Sequence, residues 1–388
     1  MPILNSASAM QAEVASWRRH LHAHPEIGFE LERTASFVAG KLREVGCDEV
    51  VTGIGRTGIV GLVRGRLGDG PVIGLRSDMD ALPILESGTP AHASTIAGRM
   101  HACGHDGHMA MLMGAAKHLA GTRNFAGTVA LIFQPAEEIG QGARAMLGDR
   151  LIERFGIERV YGMHNMPGLP VGHFAVRTGA MMAAVARYTI RIAGRGGHAA
   201  RPHTTIDPVV VAAQLVDALQ SIVARNVDPT SPAVVTITKV DAGTAYNIIP
   251  ETAELWGTTR TLTFADTEMA ERRLREICAG IGRATGARIE VDYVQGPPPA
   301  TNSAVAAAEA AAIAGEVAGE AGVDTDTRPV MAGEDFAFMM QQRPGALIFI
   351  GNGDSAGLHH PAYDFDDEAI PAGISYWARL AETMLRPR

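Results

Sequence analysis

Residues 128–138 read TVALIFQPAEE, an apolar run that ends in two adjacent glutamates. A run of this length bounded by polar residues predicts a buried strand over 128–133. Similar runs at 58–63 and 72–75 predict further strands, and residues 108–119 have the apolar spacing of a helix. This alternation predicts an α/β fold with a largely parallel sheet, in which functional groups collect at the carboxyl ends of the strands.

The pattern changes after about residue 182, where a small α+β insertion is predicted. Its expected strands and helices cover residues 187–192, 208–225, 233–240, 253–261, 267–284 and 287–294. The Gly-Pro-Pro-Pro segment at 296–299 is typical of a linker, and a helix at 304–317 and a strand at 346–350 then resume the first pattern. The chain is therefore expected to form one domain from 1–182 and 297–388, interrupted by a second at 183–296.

Composition narrows the class of protein. The 388 residues exceed the usual size of a single core, and 46% of them are hydrophobic. The net charge is −8 with no Lys or Arg run longer than a pair, so nucleic acid is not an expected partner. No basic segment precedes an apolar core near residue 1, and no unbroken apolar run approaches the roughly 20 residues of a membrane span. A cytoplasmic location without a membrane partner is expected.

The cysteine content is also consistent with a cytoplasmic location. The three cysteines, Cys47, Cys103 and Cys278, are odd in number and far apart. This spacing argues against a disulfide framework and indicates reduced thiols, one of which could be a metal ligand. Cys47 and Cys278 stand alone and are expected to be packed, inert thiols.

The segment 101–108, HACGHDGH, concentrates a thiol, three imidazoles and a carboxylate. Cys103 and His105, with Gly104 between them, can direct a sulfur and a nitrogen toward one cation of the borderline class. His101 and His108 are expected to be satisfied by backbone carbonyls instead.

Two pairs of carboxylates follow predicted strands. Glu137 and Glu138 come after the strand at 128–133, and adjacent residues cannot point the same way in a regular element. Glu138 is therefore assigned as a metal ligand and Glu137 as the general base on water. Asp78 and Asp80 follow the strand at 72–75, where Asp80 could orient a ligating histidine and Asp78 could support the metal or the base. The glutamate pair could instead form a solvated acidic turn, and either aspartate alone could merely cap a turn.

Histidines further along the chain complete the donor set. His164 and the pair His359–His360 each lie beside a short apolar run. Taken singly, each is more typical of a hydrogen-bonded loop histidine than of a ligand. With Cys103, His105 and Glu138 they supply enough N, S and O donors for two divalent metal ions that activate water and polarise a carbonyl.

Residues 53–58, GIGRTG, match the dinucleotide fingerprint GxGxxG. An apolar, strand-like IVGLV follows, so the helix N-terminus that would bind a pyrophosphate is missing from the prediction. A nucleotide-dependent oxidoreductase is therefore not expected.

The motifs taken in order resemble the M20 metallopeptidase family. They are HACGHDGH at 101–108, QPAEE at 134–138, HN at 164–165, GGHAARPH at 196–203, NIIP at 247–250, GEDF at 333–336 and LHHPAYDF at 358–365. They span nearly the whole chain, and they are most similar to the amidohydrolase branch of hippurate hydrolases, N-acyl-amino-acid deacetylases and auxin-conjugate hydrolases.

The resemblance implies a fold and residue roles. The fold is a catalytic domain whose mostly parallel sheet has helices on both faces, plus an inserted ferredoxin-like lid that mediates dimerisation. The implied ligands are Cys103, His105, Glu138, His164 and His359, with His359 preferred to His360. Glu137 is the implied base, which later protonates the leaving amine.

The resemblance also implies substrate contacts in the insertion. His198 would stabilise the oxyanion, while Asn247 and Arg260 could hold a substrate carboxylate. The expected activity is hydrolysis of small N-acylated amino acids by a homodimer or larger homo-oligomer. Other branches of the family carry His where this chain has Asp78, and an Asp that bridges the metals near Cys103. Zinc, manganese, nickel and cobalt therefore all stay open. The alternatives to this activity are a dipeptidase or carboxypeptidase of the same family and a noncatalytic metal-dependent binding protein.

Overall fold

The computed structural model describes residues 3–387, and they divide into two compact units. The first unit runs to Met181 and includes Thr301–Arg328 and the residues from Asp335 onward. The second comprises Met182–Ala300 and Pro329–Glu334. The short segment at 329–334 lies outside the predicted insertion, and the backbone N–H of Ala183 donates to the carbonyls of Val330 and Ala332.

The first unit alternates helices and strands from its beginning. The elements up to residue 182 are α1 (Asn5–Ala9), α2 (Gln11–Ala23), α3 (Glu32–Glu44), β1 (Glu49–Ile54), β2 (Gly58–Arg64), β3 (Val72–Asp78), α4 (His105–Thr122), β4 (Thr128–Gln134), α5 (Gly142–Gly148), α6 (Leu151–Phe155), β5 (Ile157–Met166), β6 (Phe174–Ala175) and β7 (Gly179–Met182).

The rest of the chain contributes the second unit and then the end of the first. Its elements are β8 (Ala184–Ala193), β9 (Gly197–His198), α7 (Pro208–Asn226), β10 (Ala233–Ala242), β11 (Ile248–Ile249), β12 (Thr252–Thr261), α8 (Phe264–Thr285), β13 (Arg288–Gln295), β14 (Ala300–Asn302), α9 (Ala304–Ala318), β15 (Val323–Asp324), α10 (Ala337–Gln342), β16 (Gly345–Gly351) and α11 (Ile370–Met384), with 3₁₀ turns at Pro202–Thr204, Glu320–Gly322 and Asp367–Ala369.

An eight-stranded sheet organises the first unit, in the order β1-β2-β4-β3-β5-β16-β6-β15. The central strands β4, β3, β5 and β16 are parallel to one another. At one edge β2 pairs antiparallel with β4 and β1 antiparallel with β2, and on the other side β6 pairs antiparallel with β16. Parallel strands bring their carboxyl ends to one edge of the sheet, and the site residues after β3, β4 and β5 therefore lie near one another.

Both faces of this sheet are buried, which explains the unbroken apolar runs in the sequence. On one face, alternate residues such as Leu75 and Leu131 join a single core with α1–α4, α9 and α11. The intervening residues, such as Ile132 and Val160, are buried as well, and α5 and α6 contact β4 and β5. The predicted α/β architecture is confirmed.

The second unit has the order β8-α7-β10-β12-α8-β13, the βαββαβ arrangement of a ferredoxin-like fold. Its four strands pair antiparallel in the order β10-β12-β8-β13. The apolar faces of α7 and α8 pack on one side of the sheet, around Leu215, Leu274 and Ile190. The fold of the insertion therefore matches the one that the family resemblance implies.

Helix α7 bears on the expectation that no apolar run in the chain approaches the length of a membrane span. By length and composition it is apolar enough to cross a membrane, and it is the one such helix among residues 3–387. Asp217 and Arg225 interrupt its apolar sequence, and Leu215 and Leu219 lie in the core of the second unit. Packing of this kind is that of an amphipathic helix on a sheet.

Candidate metal centre

The site lies where the central strands of the first unit end. Asp78 is the last residue of β3 and pairs with Gln134, the last residue of β4. His164 lies two residues before the end of the neighbouring strand β5. Cys103 precedes α4, and His105 is the first residue of that helix. Four separate segments thus present metal-binding atoms at one edge of the sheet.

The structure brings the five predicted ligands together. Three of the groups whose ligand atoms all lie within 4.8 Å of one another contain predicted ligands, namely Cys103 with Glu138 and His359, His105 with Glu137 and Glu138, and His164 with Asp78, His105 and His108. Cys103 Sγ also lies 3.5 Å from His164 Nε2, and His105 Nε2 lies 3.8 Å from Glu138 Oε1. The groups are therefore continuous, as two neighbouring metal positions require.

The two buried histidines are oriented as metal ligands. His105 Nδ1 donates to the carbonyl of Asp80 at 2.7 Å, and His164 Nδ1 donates to the carbonyl of Asn165 at 2.7 Å. Because a carbonyl can only accept, each Nδ1 carries a proton and each Nε2 is the atom available to a metal ion. Burial alone would lower the pKa of His105, but Asp78 and Cys103 raise it well above its usual range, so an ion would displace a proton from His105 Nε2.

Unsatisfied polar atoms show that the site fits a cation. Among the described residues, His105 Nε2 and Glu138 Oε1 are buried without a hydrogen-bond partner. Buried polar atoms are normally paired. A divalent ion would satisfy both of these atoms, and the mixed S, N and O donor set suits a borderline metal.

The acid–base properties of the ligands agree with this fit. Burial, together with the nearby carboxylates of Asp80 and Asp78, raises the pKa of Glu138 to about 7. Burial and the charge of Glu138 raise the pKa of the Cys103 thiol well above its usual range. Burial and His108 lower the pKa of His164 to about 3, so its imidazole is neutral. Two anionic ligands are thus disfavoured unless a cation compensates their charge.

His359 and His360 occupy different environments. His359 Nε2 lies 3.5 Å from Glu138 Oε2, although the side chain is 53% exposed. The backbone of His359 has a φ of 64°, the left-handed region that non-glycine residues seldom adopt. His360 instead accepts the backbone N–H of Ala362 on Nδ1. Of the pair, His359 is the one beside the other ligand atoms.

Asp80 connects the ligands with the proposed base. Its Oδ1 accepts the backbone N–H of Glu137 at 2.9 Å, and its Oδ2 accepts that of Glu138 at 3.2 Å. The sequence predicts that Asp80 orients a histidine; the structure shows its backbone carbonyl on His105, while its carboxylate holds the main chain of the glutamates. Glu137 is half-buried, and its Oε1 accepts the backbone N–H of Asp335 at 3.4 Å.

Asp78 lies in a buried charge network. Its Oδ2 accepts from Arg76 at 2.9 Å and its Oδ1 from His108 Nδ1 at 2.6 Å. Burial alone would raise the pKa of Asp78, but His105, His108 and Arg76 lower it well below the usual value. Asp78 is therefore ionised and lies 3.7 Å from His105 Nε2.

The expectation that backbone carbonyls satisfy His101 and His108 is wrong. His108 Nε2 accepts the backbone N–H of Asn165 at 2.8 Å, and its Nδ1 donates to Asp78. With both ring nitrogens engaged by protein atoms, His108 has no lone pair for a metal, although it lies among the ligands. His101 is buried, and within residues 3–387 neither ring nitrogen has a hydrogen-bond partner.

The predicted substrate residues belong to the second unit. His198 on β9 pairs with Ile248 on β11, and the backbone N–H of Ala199 donates to the carbonyl of Asn247. His198 and Asn247 are both exposed. Arg260 lies on β12, where its guanidinium donates to the Thr258 hydroxyl and the Thr259 carbonyl. The structure thus brings His198 and Asn247 together, while Arg260 lies in the main sheet of that unit.

The glycines of the GIGRTG segment serve packing. A Cβ atom at Gly55 would lie 2.7 Å from the backbone nitrogen of Met146, and one at Gly58 would lie 2.9 Å from the end of its side chain. The segment leads into strand β2. These two glycines thus allow the close approach of α5, and a strand follows the segment in place of the helix whose N-terminus would bind a pyrophosphate.

Several residues that contact the ligands or their neighbours were not predicted from the sequence. Arg76 is fully buried and bonds Asp78 and Gln134. Asn165 and Tyr363 bond each other through Oδ1 and the phenol at 2.7 Å. A charged residue inside an apolar strand is a usable signal for Arg76, because buried charges are rare without a partner. Asn165 and Tyr363 carry no comparable signal outside the motifs that contain them.

Comparison with known proteins agrees with the geometry. Residues 74–383 match the model of peptidase family M20/M25/M40. The chain is 41% identical to a hippurate hydrolase of Campylobacter jejuni, over 97% of this chain and 98% of that protein. It is 39% identical to an N-acetylcysteine deacetylase of Bacillus subtilis, over 97% and 98%.

A solved structure is similar over nearly the whole length. It is a dinuclear metal-binding peptidase of the M20 family from Bacillus subtilis, 35% identical, with a TM-score of 0.86 over 97% of this chain and 99% of that one. The family of curated relatives, the fold and a two-metal neighbour therefore all agree with the site described above.

Proposed function

The chain belongs to peptidase family M20/M25/M40, and we propose that it is a metal-dependent amidohydrolase of N-acylated amino acids. The observation that carries this proposal is the cluster of Cys103, His105, Glu138, His164 and His359 with Glu137 beside it, a carboxylate whose backbone N–H is bonded to Asp80. The names of the relatives, a hippurate hydrolase and an N-acetylcysteine deacetylase, support the substrate class.

Two divalent ions would be held by these five side chains, with Cys103 close to both groups of ligands. When bound, they supply Lewis acidity that polarises the amide carbonyl and lowers the pKa of water. Zinc, manganese, nickel and cobalt all suit the donor set, and the experiment below includes each of them.

Glu137 transfers the proton. Its carboxylate takes a proton from the attacking water and later returns it to the amine nitrogen of the leaving amino acid. The carbonyl carbon gains a C–O bond and loses its C–N bond, so the products are a carboxylic acid and a free amino acid. Since Asp80 holds the backbone of Glu137 from inside the unit and the side chain is half-buried, the carboxylate can meet a substrate from the solvent side.

His198 is proposed as the donor to the oxyanion. The backbone N–H of Ala200 donates to His198 Nδ1 at 3.1 Å, so in the neutral imidazole the proton is on Nε2. An exposed Nε2–H is the group that an oxyanion binds. Asn247 and Arg260 are proposed to bind the carboxylate of the amino acid.

We further propose that the enzyme is a cytoplasmic homodimer in which a second copy covers the surface around Asn247. Tyr246 and Ile248 flank Asn247 and are 109% and 57% exposed, and exposed apolar residues beside polar ones mark interaction surfaces. The three cysteines are free, as expected in a reducing compartment.

The direct test uses metal-free protein reconstituted separately with zinc, manganese, nickel or cobalt, with bound metal measured. Each preparation is given N-benzoyl-glycine, N-acetyl-leucine and glycyl-leucine; the last two differ mainly in the free α-amine. The proposal predicts turnover of the acylated amino acids in a metal-loaded sample. Turnover of glycyl-leucine alone would indicate a dipeptidase, and tight metal binding without any turnover would indicate a binding protein.

A further inference from the structure

Asn165 follows the ligand His164 on β5 and is fully buried. Both main-chain polar atoms of Asn165 contact residues of the centre. Its backbone N–H donates to His108 Nε2 at 2.8 Å, and its carbonyl accepts from His164 Nδ1 at 2.7 Å. Asn165 thus fixes the ring orientation of one ligand and also contacts the helix that begins at His105.

The side-chain amide of Asn165 connects two more ligand segments. Its Nδ2 donates to the carbonyl of Cys103 at 2.6 Å, and its Oδ1 accepts from the Tyr363 hydroxyl at 2.7 Å. The Cys103 carbonyl can only accept, which fixes the orientation of the amide. Tyr363 lies four residues after His359, so one amide joins the Cys103 segment to the His359 loop.

The close packing around this amide leaves no room for change. Gly104 lies between Cys103 and His105 with a φ of 83°. A Cβ atom at Gly104 would overlap the amide of Asn165 and the Tyr363 hydroxyl. A glycine is needed here because the φ is positive and because a side chain would overlap Asn165 and Tyr363. The Asn165–Tyr363 pair thus packs against the turn that carries Cys103 and His105.

His359 depends on this contact more than the other ligands do. Three ligands are at most 6% exposed, namely Cys103, His105 and His164, and the side chain of Glu138 is 9% exposed. The side chain of His359 is 53% exposed. Its backbone is in the left-handed region, and its N–H donates to the Ala102 carbonyl at 2.7 Å. The loop is thus held to the ligand turn by this bond and by the Tyr363–Asn165 bond.

We propose that Asn165 and Tyr363 are positioning residues that set the affinity of one metal position, the one formed by Cys103, Glu138 and His359. Loss of the Tyr363–Asn165 hydrogen bond frees the His359 loop and weakens that position, while the position that includes the buried pair His105 and His164 keeps its ion. This inference rests on the proposed two-metal site.

The test measures the number of bound metal ions and their affinities by elemental analysis and calorimetry, using manganese as the probe. Tyr363→Phe should bind the first ion as the wild type does and the second about 10- to 100-fold more weakly, the range typical for residues that orient ligands. Raising the manganese concentration should restore its activity, which it would not do for a generally destabilised protein.

Two further variants sharpen the result. Tyr161→Phe removes another buried tyrosine hydroxyl, which bonds Glu309 at 2.8 Å, and should bind both ions normally. Asn165→Asp offers no N–H to the Cys103 carbonyl and should also lose the second ion first. Wild-type affinities in Tyr363→Phe, or equal loss of both ions, would overturn the inference. Wild-type protein that binds no metal at all would refute the proposed function together with it.

Discussion

The carboxylate of Asp80 accepts the backbone N–H of Glu137 at 2.9 Å. Its second oxygen accepts the N–H of Glu138 at 3.2 Å, and its carbonyl accepts from the ring of His105 at 2.7 Å. Ala136, just before the glutamates, has a left-handed φ of 53°, a backbone region that non-glycine residues seldom adopt. One residue, two positions after the end of β3, thus holds the proposed base and two ligands in a fixed relation.

Asp80→Asn should lower kcat by about 10- to 100-fold, because an amide can accept only one of the two glutamate N–H bonds. Metal content should stay near wild type, since His105 is held by the backbone of residue 80. Steady-state kinetics with metal analysis tests this. Asp149→Asn, which alters a carboxylate bonded to the backbone of Gly55, is the matched control; an unchanged kcat in Asp80→Asn would argue against the role.

Cys103→Ala should bind less metal and show no turnover, because the thiol is close both to His164 and to the group of Glu138 and His359. Cys278→Ala, at a buried cysteine of the second unit, should retain both properties. Elemental analysis and an activity assay compare the two variants. Full activity in Cys103→Ala would remove this residue from the ligand set.

Metal affinity should depend on pH more steeply below about pH 7 than above it. The raised pKa of Glu138, about 7 in the metal-free site, means that an ion must displace a proton from this carboxyl below pH 7 and no proton from it above. Below pH 7 the affinity should therefore fall by about an additional tenfold for each unit of pH, compared with its pH dependence above pH 7. Calorimetric titrations from pH 6 to 8 measure it, and Glu138→Gln should lack the change of slope. An equal slope on both sides of pH 7 in wild type would contradict the prediction.

His22 should make stability fall in alkaline solution. Burial alone would lower the pKa of His22, but Asp106, at 2.9 Å, and Glu86 raise it to about 9. Since the folded value exceeds the unfolded value of 6.5, the contribution is complete below about pH 6.5 and is lost as the pH rises through 9.

Urea unfolding of wild type and His22→Gln at pH 6 and pH 10 measures this effect. The difference in free energy of unfolding between the two proteins should be larger at pH 6 by on the order of 3 kcal/mol. A difference that does not vary with pH would show that His22 is neutral in the folded protein.

The regular elements were predictable where a strand or helix has a uniform apolar pattern. The strand expected at 128–133 is Thr128–Gln134, and the helix expected at 208–225 is Pro208–Asn226. Helix α4 begins at His105, three residues before the predicted start, because its first turn carries site residues in place of apolar ones. Strand β5 was not delimited, since buried polar residues such as His164 and Asn165 interrupt its apolar pattern.

The donor set of the site could be predicted because ligands are recognised by residue type. The residues that orient them could not, since their partners are far away in sequence. Asn165 and Tyr363 are separated by 198 positions, and Asp78 accepts a hydrogen bond from His108 on the next helix, α4. Nothing in a local pattern indicates such pairs before the sheet brings them together.

The most direct test of the whole account is Glu137→Gln, with bound metal and turnover of an N-acylated amino acid measured on the same sample. The substitution removes the proton acceptor but none of the five ligands. We expect two metal ions per chain and a kcat lower by roughly 100- to 10,000-fold, the usual contribution of a general base. Turnover close to wild type at full metal occupancy would contradict the proposed mechanism.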